Sequence, residues 1–231
     1  MSQALGVVFD FDGVIADSEM LHLQAFQEAF GARGWVLCRD EYYDQYLGYS
    51  DREVIERFAN DRGVRLAAAD MQRLLDSKER IYTEVASAGG VLCAGAEACV
   101  RRLAARFPLA IASGAKTHEI VHALEAAGLR QDFLAIVGAD DVVASKPAPD
   151  PYVEAVRRIG LTPGACVAIE DSPWGLESAR TAGLTTIGVT HSYPAARLTV
   201  ADVVLSSLDD VSEVLIRAIT PRRQFVDPEP D

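Results

Sequence analysis

A short valine-rich apolar run, Leu5 to Phe9, stops abruptly at Asp10. A run this brief, apolar at alternate and intervening positions alike, predicts a strand buried on both faces. From Ser18 the period changes. Leu21, Ala25, Phe26, Ala29 and Phe30 recur at helical spacing with Gln24, Gln27 and Glu28 between them, which predicts a helix ending near Gly31 or Gly34. Helical patterns follow at 51–62 and 67–86, with no strand pattern among them. Beyond Gly89 and Gly90 the chain alternates. Apolar runs at 109–112, 135–137, 167–169, 185–189 and 203–205 are separated by helical segments near 95–106, 116–127, 150–159, 173–182 and 208–219.

Strands alternating with helices predict a parallel sheet covered on both faces. The expected fold class is therefore α/β: a Rossmann-like doubly wound parallel sheet with an inserted α-helical domain. The first strand belongs to the sheet, so residues 1–17 and 89–220 form the expected core and 18–88 the helical insert. The polar, proline-bearing stretch 221–231 is expected to be a loose tail.

Composition narrows the function. A hydrophobic fraction of 49% supports a well-buried interior, and 34 acidic against 22 basic residues give a formal net charge of -12. That balance argues against a general affinity for nucleic acid or an anionic membrane surface, and it leaves a small anionic substrate in need of a local cation. No uncharged stretch approaches the roughly 20 residues that span a bilayer. The expectation is a soluble, cytoplasmic protein, a monomer or weak dimer. Cys38, Cys93, Cys99 and Cys166 show neither a zinc spacing nor a disulfide framework.

The ends of the predicted strands carry the chemistry. Asp10 and Asp12 follow the first strand, Ser113 and Gly114 the second, Lys146 lies beyond the third, and Glu170 and Asp171 close the fourth. In an open parallel sheet ligands collect at these carboxyl ends, so the groups are expected around one crevice. Singly, Asp10 could cap a turn, Ser113 a helix, and Lys146 could be a solvated loop charge. Together, two close aspartates facing further carboxylates repel one another unless a cation is present, and oxygen ligands suit Mg2+, which binds through one or two carboxylates together with phosphate oxygens. A carboxylate can attack phosphorus to form an acyl phosphate while a neighbouring acid protonates the leaving oxygen and then activates water.

The segments DFDGV at 10–14, IASGAK at 111–116, SKPAPD at 145–150 and IEDSPWG at 169–175 resemble, in order, the four motifs of the haloacid dehalogenase-like superfamily. The helical insert resembles the small α-helical cap of its β-phosphoglucomutase-like and phosphatase members. That resemblance implies Asp10 as nucleophile and Asp12 as general acid and base. It places magnesium on Asp10, the main-chain carbonyl of Asp12 and Asp171, with Glu170 a direct or water-mediated ligand. Ser113, Gly114 and the backbone amides after them would hold phosphate oxygens, and Lys146 would sit between phosphoryl group and nucleophile. The rest of the substrate would be recognised by the insert closing over the crevice, through Ser18, Glu19, His22, Ser50, Arg52 and Lys78.

The mutase pattern breaks at one point. Where β-phosphoglucomutase has a phosphate-binding arginine, three positions after the cap glycine, this chain has Asp51, and Arg52 comes one residue later. On a helix that shift turns the side chain by about 100°. The leading expectation is thus a magnesium-dependent phosphatase of a small sugar or polyol phosphate acting through an aspartyl-phosphate. A phosphosugar mutase is the alternative. A phospho-accepting signalling domain fits less well, because it needs no insert.

Overall fold

The computed structural model describes residues 5–46, 49, 51–87 and 92–220. The expected tail at 221–231, the Gly89–Gly90 break and the candidate Ser50 lie outside the described residues. The chain divides into two units, one of Met1–Ala16 and Leu92–Asp231, the other of Asp17–Val91. It leaves the first unit at Ala16 and re-enters it at Leu92, and these two residues pair as an isolated antiparallel bridge.

The first unit is built on six parallel strands: β1 (Gly6–Phe9), β2 (Leu109–Ala112), β3 (Ala135–Val137), β4 (Cys166–Glu170), β5 (Thr185–Val189) and β6 (Val203–Leu205). Their order is β3-β2-β1-β4-β5-β6. Strand residues alternate between two apolar layers. Val7, Phe9, Leu109, Ile111, Val167 and Ile169 pack in one layer with Val100 and Leu103 of α5 (Ala96–Ala104), Leu124 of α6 (Thr117–Ala126) and Ile216 of α9 (Glu213–Ile219). Val8, Ala110, Ala112, Val137 and Ala168 pack in the other with Tyr152 and Val156 of α7 (Asp150–Arg158) and Ala179 of α8 (Pro173–Thr181). Burial on both faces explains why these strands are continuous apolar runs.

Strand order reverses about β1, with β2 and β3 to one side and β4 to β6 to the other. That reversal makes the carboxyl ends of β1 and β4 a natural ligand crevice. Phe9 stands beside Ile111 and Ile169, and the Asp10 N–H donates to the Ile169 carbonyl at 2.9 Å, so Asp10 leaves the sheet next to Glu170.

The second unit contains α1 (Ser18–Gly31), α2 (Arg39–Gln45), α3 (Asp51–Asp61) and α4 (Ala68–Ser87). Asp17 caps α1 by accepting from the Met20 N–H at 3.1 Å. The core of this unit is aromatic: Phe26, Phe30, Tyr42, Tyr46 and Phe58 are buried, and Phe30 stacks on Phe58 with centroids 4.3 Å apart. Such side chains each contribute roughly 1.5–3 kcal/mol by burial.

Two elements differ from the sequence expectation. The seven-residue α2 was unforeseen, because it offers the pattern only one buried side chain, Tyr42. The helix expected over 208–219 is a 3₁₀ turn at Leu208–Asp210, an extended Val211 and then α9, with Ser212 capping through the Leu215 N–H. Among the described residues, no helix is long and apolar enough to cross a membrane.

Candidate active site

Asp10 is buried at the end of β1. Its Oδ1 accepts from the Phe11 N–H and pairs with the Lys146 ammonium, both at 2.7 Å. Gly13 follows with φ +76°, and a Cβ at that position would strike the Asp171 carboxylate. Glycine is thus required twice over, by backbone conformation and by close approach. The loop after β5 closes the same region, with His191 Nδ1 2.8 Å from the Gly13 carbonyl and the Ser192 hydroxyl bonded to Asp171.

Glu170 is fully buried and engaged at both oxygens. Oε1 accepts from Lys146 at 2.7 Å and from the Tyr152 hydroxyl at 3.1 Å. Oε2 accepts from the Asp171 N–H, the Ser172 N–H and the Ser172 hydroxyl, each at 2.9 Å. A Cβ on Gly175 would collide with this carboxylate, so the glycine in the first turn of α8 makes room for Glu170 in addition to packing the helix.

The electrostatics show a site with more negative charge than its lysine can match. Asp10, Asp12, Glu170 and Asp171 share the region with Lys146. Burial and then the Glu170 charge raise the Asp10 carboxyl well above the usual range, and the same two causes push Asp171 up to about 7. Burial acts on Glu170 in the same direction, but Lys146 and the hydrogen bonds from Ser172 overrule it and hold Glu170 below its ordinary value. Burial likewise opposes the Lys146 charge, and Asp10 and Glu170 together hold the ammonium above its usual range. The Tyr152 phenol, raised by burial and by Glu170, stays a hydrogen-bond donor.

Ligand atoms of Asp10, Glu170 and Asp171 lie within 4.8 Å of one another, a spacing that fits a hard cation. Excess carboxylate, two of them displaced toward the protonated form, is what a divalent ion would relieve. Of the three, Asp10 and Asp171 are the better donors, since the Glu170 lone pairs are committed within the protein.

At the end of β2, buried Ser113 accepts from the Ala115 N–H at 2.9 Å, and its hydroxyl lies 3.3 Å from Asp12 Oδ2. Gly114 is exposed beside it. Trp174, 47% exposed, meets Tyr193 edge-on at 5.4 Å. Sequence reasoning left out Tyr152, His191 and Ser192. Tyr152 follows Lys146 by six positions and carried a visible signal, a tyrosine on a helix face that is otherwise small and apolar.

In the second unit, Lys78 is buried at 1% exposure, 2.7 Å from Asp51 Oδ2 and 2.8 Å from His22 Nδ1, over the rings of Phe26 and Tyr82. The structure brings the candidates His22 and Lys78 together, with Asp51 as their anion. The other candidates stand apart. Among the described contacts, Ser18 is a buried residue in the first turn of α1, Glu19 accepts from the Tyr42 hydroxyl at 2.8 Å, and Arg52 is exposed. Arg52 misses the group because it follows Asp51 on α3, which turns it away.

Burial and then Lys78 lower the His22 pKa to about 4. The fold thus holds a neutral imidazole, while the unfolded chain protonates near 6.5. The stabilisation is complete above that value and is lost as pH falls from about 6.5 toward 4. With the ring one-third exposed, the loss is on the order of 1–2 kcal/mol after screening. Urea unfolding at pH 7 and pH 5 should show it, and His22→Gln should flatten the difference. An unchanged pH dependence in that variant would rule out His22 as the source.

The chain has counterparts among known proteins. The family model for haloacid dehalogenase-like hydrolases matches residues 7–189. The protein CbbY of Rhodobacter capsulatus is 35% identical over 195 residues, covering 81% of this chain and 86% of that protein. Fructose-1-phosphate phosphatase YqaB of Escherichia coli is 31% identical over 189 residues, covering 80% and 95% respectively. A crystal structure of CbbY from Rhodobacter sphaeroides in complex with xylulose-(1,5)bisphosphate superposes with a TM-score of 0.65 at 28% identity, covering 90% of this chain and 96% of that one.

Proposed function

The chain belongs to the haloacid dehalogenase-like hydrolase family, and on that premise we propose that it is a magnesium-dependent phosphatase whose substrate is a small sugar phosphate, a ketose 1-phosphate. The observation that carries this reading is the Asp10 carboxylate at the end of β1, buried and paired with Lys146 at 2.7 Å, with Asp12 two residues on. The substrate class is supported by the names of the relatives: one is a fructose-1-phosphate phosphatase and another binds xylulose-(1,5)bisphosphate, both ketoses phosphorylated at C1.

The reaction divides between the two aspartates. Asp10 Oδ attacks phosphorus and the ester P–O bond breaks, while Asp12 gives its proton to the departing alcohol oxygen. Asp12, now ionised, takes a proton from the water that attacks the aspartyl-phosphate. Inorganic phosphate leaves and Asp10 is regenerated. Lys146 neutralises charge on Asp10 and on the phosphoryl oxygens, and the Ser113 hydroxyl with the amides after it orients them. Asp10, Asp171 and the Asp12 carbonyl would hold magnesium, which would supply charge neutralisation of the phosphoryl group.

Hydrolysis is favoured over phosphosugar isomerisation because Lys78, a cation in the second unit, already carries the Asp51 carboxylate. A mutase must hold a second phosphate on such a cation. With magnesium present, fructose 1-phosphate should release inorganic phosphate stoichiometrically, and β-glucose 1-phosphate with a trace of bisphosphate should not isomerise. Isomerisation without phosphate release would establish the mutase instead.

A further inference from the structure

Lys146 sits on a loop at the end of a flexible four-carbon stem, so its ammonium needs external fixing to act as a preorganised charge. The loop backbone is tied down by the Ser178 hydroxyl, which donates to the Ala148 carbonyl at 2.6 Å. The ammonium itself is held by Asp10 and Glu170. Asp10 surrenders its full charge when it becomes an acyl phosphate, which leaves Glu170 as the permanent counterion.

What orients Glu170 therefore orients Lys146 during the second half of the reaction. Oε2 is fixed by the chain immediately after it, through Asp171 and Ser172. Oε1, the oxygen that faces Lys146, has one further donor among the described contacts, the Tyr152 hydroxyl at 3.1 Å. The Tyr152 side chain is entirely buried on α7, and its ring centroid lies 5.0 Å from the Lys146 nitrogen. Hydroxyl and ring thus touch the two members of one ion pair.

We propose that Tyr152 is a positioning residue of this site: its hydroxyl sets the Glu170 oxygen that grips Lys146, and its ring faces the same ammonium. It is a role neither of metal binding nor of substrate contact. The hydroxyl is the separable part, because phenylalanine keeps the ring and the packing. The proposal rests on the phosphatase reading for its kinetic consequence, and on the ion pair alone for its structural one.

Two measurements on the full chain test it. In steady-state hydrolysis, Tyr152→Phe should lower kcat about tenfold. KM for the ester and the magnesium concentration for half-maximal rate should each stay within about twofold of wild type. In a Lys146→Ala background the same substitution should cost nothing further, the sign of an effect routed through that lysine. An equal loss in both backgrounds, a raised magnesium requirement, or no loss at all overturns the proposal. Hydrogen exchange of the Lys146 ammonium, followed by 15N NMR, is the readout that needs no activity. It should speed up about tenfold in Tyr152→Phe, and an unchanged rate refutes the positioning role. If wild type hydrolyses no phosphate ester, the phosphatase reading fails and the exchange experiment still decides this one.

Discussion

Asp10→Asn is expected to lower kcat by at least about 10³-fold while raising the melting temperature of the metal-free protein. The two effects have one origin. The Asp10 carboxylate is buried at the end of β1 among Asp12, Glu170 and Asp171, and burial with the Glu170 charge raises its pKa well above the usual range. In linkage terms the folded state prefers Asp10 protonated, so the group's contribution is complete below about pH 4 and is lost as pH rises through the raised folded value. When Asp10, the proposed nucleophile, ionises, its carboxylate is a destabilised group held by Lys146 at 2.7 Å. Asparagine keeps the shape and removes both the charge and the attacking oxygen. The assay is phosphate release from fructose 1-phosphate and from a generic aryl phosphate, with calorimetric melting in chelator at pH 7.5. Full activity in Asp10→Asn would falsify the assignment of the nucleophile. A lower melting temperature would show that the Lys146 pair outweighs the repulsion.

Much of this architecture was legible along the chain, for a physical reason. A strand buried on both faces and an amphipathic helix leave different periods, and the contrast between Leu5–Phe9 and Ser18–Gly31 is strong. All five later apolar runs became strands within a residue of the expected bounds. The α/β class and the family were accordingly within reach. The helix at 208–219 was over-extended because Val211 fits the helical period while its backbone is extended, and Ser212 begins the helix anew.

For the candidate site, the sequence showed which strand-end residues to look for and not how they pair. Asp10, Lys146, Glu170 and Asp171 could be named because each ends or follows a predicted strand. That Glu170 spends both oxygens on Lys146, Tyr152, Asp171 and Ser172 depends on side-chain geometry across 24 residues of sequence, which no period encodes. The same holds in the second unit, where Asp51 seemed only a departure from the mutase pattern and turns out to be the counterion of a buried lysine. Gly13 and Gly175 mark the limit from the other side. Each is set by the oxygen that would meet its missing Cβ, and that oxygen belongs to Asp171 in one case and Glu170 in the other.

Removal of divalent metal should have an effect as large as loss of the nucleophile. Dialysis against EDTA is expected to lower turnover at least about 10³-fold, with full recovery on adding magnesium and little or none with calcium. Among the described residues Lys146 is the cation paired against the carboxylates of Asp10, Asp12, Glu170 and Asp171, and the crowding shows in Asp171, which burial together with Glu170 pushes up to about 7; an anionic substrate would meet this surplus of carboxylate. A divalent ion held by Asp10 and Asp171 would remove two of the three surplus negative charges, and the compact octahedral preference of magnesium suits two carboxylates and a carbonyl better than the larger shell of calcium. The same binding should be visible without turnover, because an ion bound only by the folded state stabilises it by about 2.7 kcal/mol at a hundredfold excess over its dissociation constant. Melting temperature should therefore climb with magnesium in wild type, and in Asp171→Asn it should climb only at much higher concentrations. If turnover survived EDTA and the melting temperature ignored magnesium, the acidic cluster would have to be neutralised by protons, and Asp171 would be a hydrogen-bonded acid in place of a ligand.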